Sequence, residues 1–248
     1  MIKSLLRNMV LKEKASSEKY VAYLKNQGVR IGDDVRFFSP SNTLVDLTAP
    51  WLLTIGNHVK IAHGVIILTH DYSWSVLKRL SENQGRILGA QSPVKIGNNV
   101  FLGMNAIITR GVTIGDNVVI GAGSVVTHDC EANSVYAGNP ARKIMTIEEY
   151  CTKRQKKQIE EAKKFALAYR DRFDKQPPKE VFNEYFMLFS NEEEAIQIPA
   201  FCSQLRTCAN YEDSLLYMQN NSPMFENYEA FLKECFKEQI DEESNELR

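Results

Sequence analysis

The sequence predicts a mainly β chain whose middle is a coil of short parallel strands, three to a turn, with α-helical extensions at both ends. Three observations lead there. A six-residue repeat carries an aliphatic residue at its head, the repeat is interrupted once, and the patterning turns helical on either side.

From Ile96 the chain reads IGNNVF, LGMNAI, ITRGVT, IGDNVV, IGAGSV and VTHDCE. The heads are Ile96, Leu102, Ile108, Ile114, Ile120 and Val126, and the fifth positions (Val100, Ala106, Val112, Val118, Ser124, Cys130) are small or apolar. An earlier block keeps the phase in IGNHVK from Ile55, IAHGVI from Ile61 and Ile67, with a weaker trace, IGDDVR, from Ile31. A period of six fits neither a helical face nor simple strand alternation. It suits a short strand and a corner, repeated, so that every head points inward. Three units then close a triangular turn, and stacked turns bury a continuous aliphatic column. Gly and Asn behind the heads suit tight corners that need a positive φ. This coil is expected over residues 28–146.

The break lies between Ile67 and Ile96, 29 positions apart. Residues 69–93 must therefore leave the coil as a loop, and a long excursion from a regular solenoid is more often functional than accidental. It carries His70, Asp71, Tyr72 and Trp74.

Ahead of the coil, residues 2–27 read as one or two helices ending at Gly28, a good residue for stopping a helix. The stretch from Met1 to Leu11 mixes apolar residues with Lys3 and Arg7, so an amphipathic helix is expected there and not a signal peptide. Behind the coil, residues 147–174 read as a charged amphipathic helix stopped by Pro177 and Pro178. Residues 179–189 and 224–240 read as further helices, with a less regular stretch between them. Residues 1–27 and 147–248 thus form the N-terminal and C-terminal helical extensions.

Bulk properties narrow the function. A formal net charge of −1 argues against a general nucleic-acid binder, and no apolar run is long enough to span a membrane. Five cysteines without CxxC spacing fit free thiols, hence a cytoplasmic location.

The ordered hexads, one extruded loop bearing a histidine, and a closing GNPAR (Gly138 to Arg142) resemble the hexapeptide-repeat galactoside, maltose and xenobiotic O-acetyltransferases. The resemblance covers residues 28–146. It implies a left-handed parallel β-helix, a homotrimer with active sites between subunits, and transfer of acetyl from acetyl-CoA to a hydroxyl of a carbohydrate or related small acceptor. It gives His70 the part of general base. The chemistry suits the residue, since imidazole can accept a hydroxyl proton near neutral pH. Asn42, 14 positions before Gly56, matches an asparagine beside the acceptor and the oxyanion, and Asp71, Tyr72 and Trp74 are expected to shape the acceptor pocket. For CoA the resemblance points to Gly103, Met104, Ala122 and Gly123 along the pantetheine, Thr127 and His128 further on, and Arg142 and Lys143 at the phosphates. His128 stands where related enzymes often carry lysine. Met145 stands where many have a second basic residue, so phosphate binding draws on Lys143 or Lys153.

Two other readings share the coil. His58 and His63 have a spacing used by γ-class carbonic anhydrases, but the third histidine would fall at Ala22 or Pro40, so no metal is expected. A non-catalytic scaffold has no need of a loop histidine or of GNPAR. An amino-sugar N-acetyltransferase remains as an alternative, although the short N-terminus leaves no room for the nucleotide-binding domain such enzymes often carry.

Overall fold

The period of six becomes three parallel sheets wound from one chain. The computed structural model describes residues 10–246, with side chains to residue 237, so most of the helix expected over residues 1–11 lies outside the described residues. Strands β1 (Arg30–Ile31), β2 (Arg36–Phe37) and β3 (Leu44–Val45) form the first turn of the coil. The second is β4 (Leu53–Ile55), β5 (Lys60–Ile61) and β6 (Ile66–Ile67). The chain then leaves through β7 (His70–Asp71) and returns through β8 (Ala90–Gln91), which pair antiparallel at the loop's neck. Two further turns follow: β9 (Val94–Ile96), β10 (Val100–Leu102) and β11 (Ile107–Ile108), then β12 (Thr113–Ile114), β13 (Val118–Ile120) and β14 (Val125–Val126). A last, partial turn bridges Cys130 to Ile114 and continues into β15 (Ser134–Ala137). The final strand, β16 (Arg142–Thr146), folds back antiparallel on β15 and closes that edge.

Register puts like on like. Ile31, Ile55, Ile96 and Ile114 stack in the first sheet, Phe37, Ile61, Leu102, Ile120 and Tyr136 in the second, and Val45, Ile67, Ile108 and Val126 in the third. The six heads from Ile96 to Val126 and the six fifth positions are all buried. Each large aliphatic side chain so placed contributes about 1.5–3 kcal/mol.

Glycine at the second position has a steric cause. The amide of Gly56 donates to the Ile96 carbonyl at 2.8 Å, and a Cβ on Gly56 would lie 2.6 Å from the oxygen of Gly97 in the next turn. The fourth position makes the corner. Asp34, His58, Asn99, Asn117 and Asn133 all take φ between 50° and 56°, a region that Asn and Asp tolerate best after glycine. The amides of Asn99 and Asn117 each donate to the next asparagine in the column at 2.8 Å.

A helix covers the first turn. Ser16 caps Ser17–Asn26 by accepting from the Lys19 amide, Tyr20 and Leu24 are buried, and Tyr20 meets Phe37 edge-on at 5.0 Å. Gly28 follows with φ 104°, ending the helix as expected.

The chain divides into two compact units, Met1–Tyr150 and Cys151–Arg248, four residues after the boundary read from the sequence. In the second unit, Phe182, Phe186, Phe189, Phe201 and Phe231 form a buried aromatic core, with Phe186 and Phe201 stacked at 4.7 Å. Alanines 162 and 166 of the long helix Ile147–Phe173 belong to this core. The single helix expected over 179–189 is instead two 3₁₀ segments, Lys179–Phe182 and Phe186–Leu188, whose tighter winding buries three phenylalanines together. The stretch read as irregular contains Glu192–Gln197, Pro199–Leu205 and Tyr211–Asn220. These helices are too short for periodicity to reveal, and the first two are started by the Asn191 cap and by Pro199.

Asn117→Val should cost about 2–3 kcal/mol, from left-handed strain on a β-branched residue and lost ladder hydrogen bonds. Asn117→Gly, which keeps the φ, should cost less. Urea unfolding of both variants checks this, and equal losses would count against the corner argument.

Candidate active site

The strands of the third sheet end at a corner, and the residues just beyond them stack in register. Asp46, Leu68, Thr109 and Thr127 follow the inward Val45, Ile67, Ile108 and Val126. His70 lies two residues past Leu68, where the excursion begins. A cleft of about 620 Å³ opens here, lined by Leu68, His70, Asp71, Tyr72, Thr109, Arg110 and Thr127.

His70 is held from behind by a residue that the sequence reading missed. Its Nδ1 lies 2.5 Å from Oδ2 of Asp46. The same oxygen accepts from the Thr69 amide at 2.9 Å and the Thr69 hydroxyl at 2.7 Å, while Oδ1 accepts from the Thr48 amide at 2.9 Å. Both Asp46 and Thr69 are buried. Burial alone would push the Asp46 carboxyl up, but the hydrogen bonds from His70, Thr48 and Thr69 outweigh it and hold the group well below the usual carboxylate range. An ionised carboxylate can only accept, so Nδ1 carries a hydrogen, and in the neutral ring Nε2 then holds the lone pair. The sequence signal for Asp46 was its place directly after Val45, one coil before His70. Aligning whole turns, not hexads alone, would have exposed it.

The other acceptor-side candidates divide. Asp71 Oδ1 accepts from the Ser73 amide at 2.7 Å, and its second oxygen lies 3.7 Å from the Arg110 guanidinium. Tyr72 is exposed and lines the cleft. Trp74 packs on Tyr72 with ring centres 4.7 Å apart and begins the helical turn Trp74–Leu77, but is not among the lining residues. Asn42 is not beside His70. Its amide meets His63 Nε2 at 2.7 Å at the opposite corner, before β3 and β6 begin. Three residues of chain separate Asn42 from Asp46, a span of four steps, roughly 13 Å in extended form.

The CoA candidates split the same way. Gly103, Met104, Ala122 and Gly123 stack at the corner shared by Asn42 and His63: the Gly123 amide donates to the Met104 carbonyl at 2.7 Å, and a Cβ on Gly103 would meet the Ala122 nitrogen at 2.6 Å. A Cβ on Gly123 would meet nothing, so this corner presents bare backbone to solvent. Thr127 lines the His70 cleft, and its hydroxyl pairs with His128 Nδ1 at 2.8 Å. Arg142 is exposed, with one nitrogen on the Ala141 carbonyl. Lys143 forms an ion pair with Glu131 at 2.7 Å, and that hydrogen bond is the main cause raising the lysine and lowering the glutamate. Lys143 is therefore partly committed, which leaves Arg142 the better donor for phosphate.

His58 and His63 stand at different corners, the first with Asp34 and the second with Asn42. Among the described residues no group of three or more His, Cys, Asp or Glu is placed to hold a metal ion, and no helix is long and apolar enough to cross a membrane.

The Asp46 carboxyl titrates lower in the folded chain than its ordinary value of 3.8. Its contribution to stability is thus fully present above that value and lost as the pH falls below it. Asp46→Asn should cost about 1–3 kcal/mol at neutral pH. The gap to wild type should narrow on acidification below about pH 4. Unfolding followed across pH checks this, and a constant gap would contradict it.

The family model described as hexapeptide repeat of succinyl-transferase matches residues 93–128. Protein CapG of Staphylococcus aureus is 46% identical over 147 residues, covering 58% of this chain and 78% of that protein. Galactoside O-acetyltransferase of Escherichia coli K12 is 38% identical over 147 residues, covering 58% of this chain and 68% of that one. Among solved structures, a maltose O-acetyltransferase from Clostridium difficile 630 is 33% identical, covering 58% of this chain and 81% of that one, with a TM-score of 0.39. Matched to CapG and to the galactoside enzyme over more than two thirds of their own lengths, this chain belongs to the hexapeptide-repeat acetyltransferases.

Proposed function

We propose that the chain transfers acetyl from acetyl-CoA to a hydroxyl of a carbohydrate or related small acceptor, with His70 as general base. The observation that carries this reading is the buried Asp46 carboxylate on Nδ1 of His70, which orients the ring and keeps Nε2 free to accept a proton at the cleft. As the acceptor oxygen bonds to the thioester carbonyl carbon, its proton passes to Nε2. When the C–S bond breaks, the proton moves on to the departing thiolate, so one imidazole serves both steps. Asp46 is a positioning residue that favours this tautomer and steadies the imidazolium as it forms.

The two groups of candidates at opposite corners of one coil support a trimer. In such an assembly the His70 corner of one copy faces the Asn42, Met104 and Gly123 corner of its neighbour. Asn42 then donates to the developing oxyanion, and the small residues at 103 and 122–123 leave room for pantetheine. Arg142 offers a planar fork suited to CoA phosphate. The left-handed sense of the coil, the assignment of 28–146 as the catalytic domain with its loop 69–93, and a role for 1–27 and 147–248 as extensions belong to the same reading. Five free cysteines, two of them buried, favour a reducing, cytoplasmic setting.

His70→Ala should lower kcat by about 10²- to 10⁴-fold. Calorimetry should show acetyl-CoA still binding at about one per chain; unchanged turnover would remove His70 from the chemistry. Arg142→Ala should weaken CoA more than dephospho-CoA if the guanidinium meets the 3′-phosphate, and equal losses would move it elsewhere along the cofactor.

A further inference from the structure

Arg110 is a cation in the His70 cleft to which neither the repeat nor the general-base chemistry assigns a task. It follows Thr109, whose amide and hydroxyl both bond the Val126 carbonyl, at 3.1 and 2.9 Å, and precedes Gly111, which turns the corner at φ 79°. The guanidinium is thus mounted on rigid backbone. Its counter-charge, Asp71, sits instead on the excursion, at 3.7 Å, longer than a hydrogen bond. Both side chains are about 40% exposed, 38% for Arg110 and 40% for Asp71. Such an exposed pair is weak and easily exchanged for a better anion.

We infer that Arg110 selects an acidic acceptor, binding a carboxylate or phosphate of the saccharide beside the hydroxyl that His70 deprotonates. The inference rests on the cleft being the acceptor site. An anion there replaces Asp71 on the guanidinium through paired hydrogen bonds, and Tyr72 offers an exposed ring in the same cleft. The CoA phosphates are a less fitting source of the charge. Turns of the coil are about 4.8 Å apart, and Arg110 lies one turn from the position that precedes His70. Near His70 the thioester must sit, whereas the pyrophosphate lies at the far end of the pantetheine arm.

The test is acetyl transfer to matched acceptors, namely a methyl uronoside, a hexose phosphate and the neutral methyl hexoside, by wild type, Arg110→Gln, Arg110→Lys and Asp71→Asn. Wild type should prefer an acidic member. Arg110→Gln should lower the acidic-to-neutral ratio of kcat/KM by about 10- to 100-fold, Arg110→Lys should restore part of it, and Asp71→Asn should raise it. An unaltered ratio overturns the inference. So does a loss that falls on the KM for acetyl-CoA whatever the acceptor, which would assign the guanidinium to the cofactor phosphates. Transfer to the neutral sugar alone, or to none of them with acetyl-CoA still bound, overturns it while leaving the acetyltransferase reading in place; failure to bind acetyl-CoA is instead the failure of that reading.

Discussion

Everything in the first unit depends on one constraint: each turn of the coil must lie directly over the last, with backbone amides donating to carbonyls of the adjoining turn. Extended chain without such a neighbour would leave its polar groups unpaired. The spacing between turns is set by those bonds, which is why glycine follows the inward residue at Ile31, Ile55, Ile96 and Ile114. Gly56 and Gly97 pass so closely that a methyl group at either would meet the next turn's backbone. The aliphatic columns supply the free energy, but the hydrogen-bonded stacking decides which residues become neighbours.

That stacking also makes the Asp46–His70 pair. Asp46 and His70 are 24 residues apart, yet belong to adjoining turns and the same corner. The carboxylate sits where the rigid sheet ends, fixed by Thr48 and Thr69. The histidine sits at the start of β7, in the neck of the excursion, which the β7–β8 pair ties. Catalytic groups are best mounted in this way, on a scaffold element with their rotamers held by a second layer of hydrogen bonds. Arg110 has the same kind of mounting one turn further on, while Asp71, Tyr72 and Trp74 share the excursion. The cleft therefore has a fixed wall and a wall that loop sequence can vary.

A triangular coil has three corners, and the candidate residues use two of them. His70, Asp46, Arg110 and Thr127 gather where the third sheet ends; Asn42, His63, Met104 and Gly123 gather where it begins. The four short strands of the third sheet lie between the two groups. The division is a consequence of the fold, and the proposed trimer rests on it.

The sequence by itself determined the coil, because a period of six has few structural solutions and every head from Ile96 to Val126 reports the same inward face. It also determined the position of the excursion, the presence of His70 within it, the helix that stops at Gly28, and the absence of a third histidine for His58 and His63. What it could not supply was anything that depends on neighbours in different turns. Asp46 reads as an ordinary acidic residue until the stacking brings it to His70. Lys143 reads as a free cation until Glu131 is placed against it. Asn42 and His70 read as one site until β3 and β6 are seen to lie between them. In the second unit, phenylalanines spaced like a helix are wound into 3₁₀ turns because the aromatic core must close around them. Local patterning specifies which face of an element is buried; which side chains then meet is decided by the packing of one turn or helix on another.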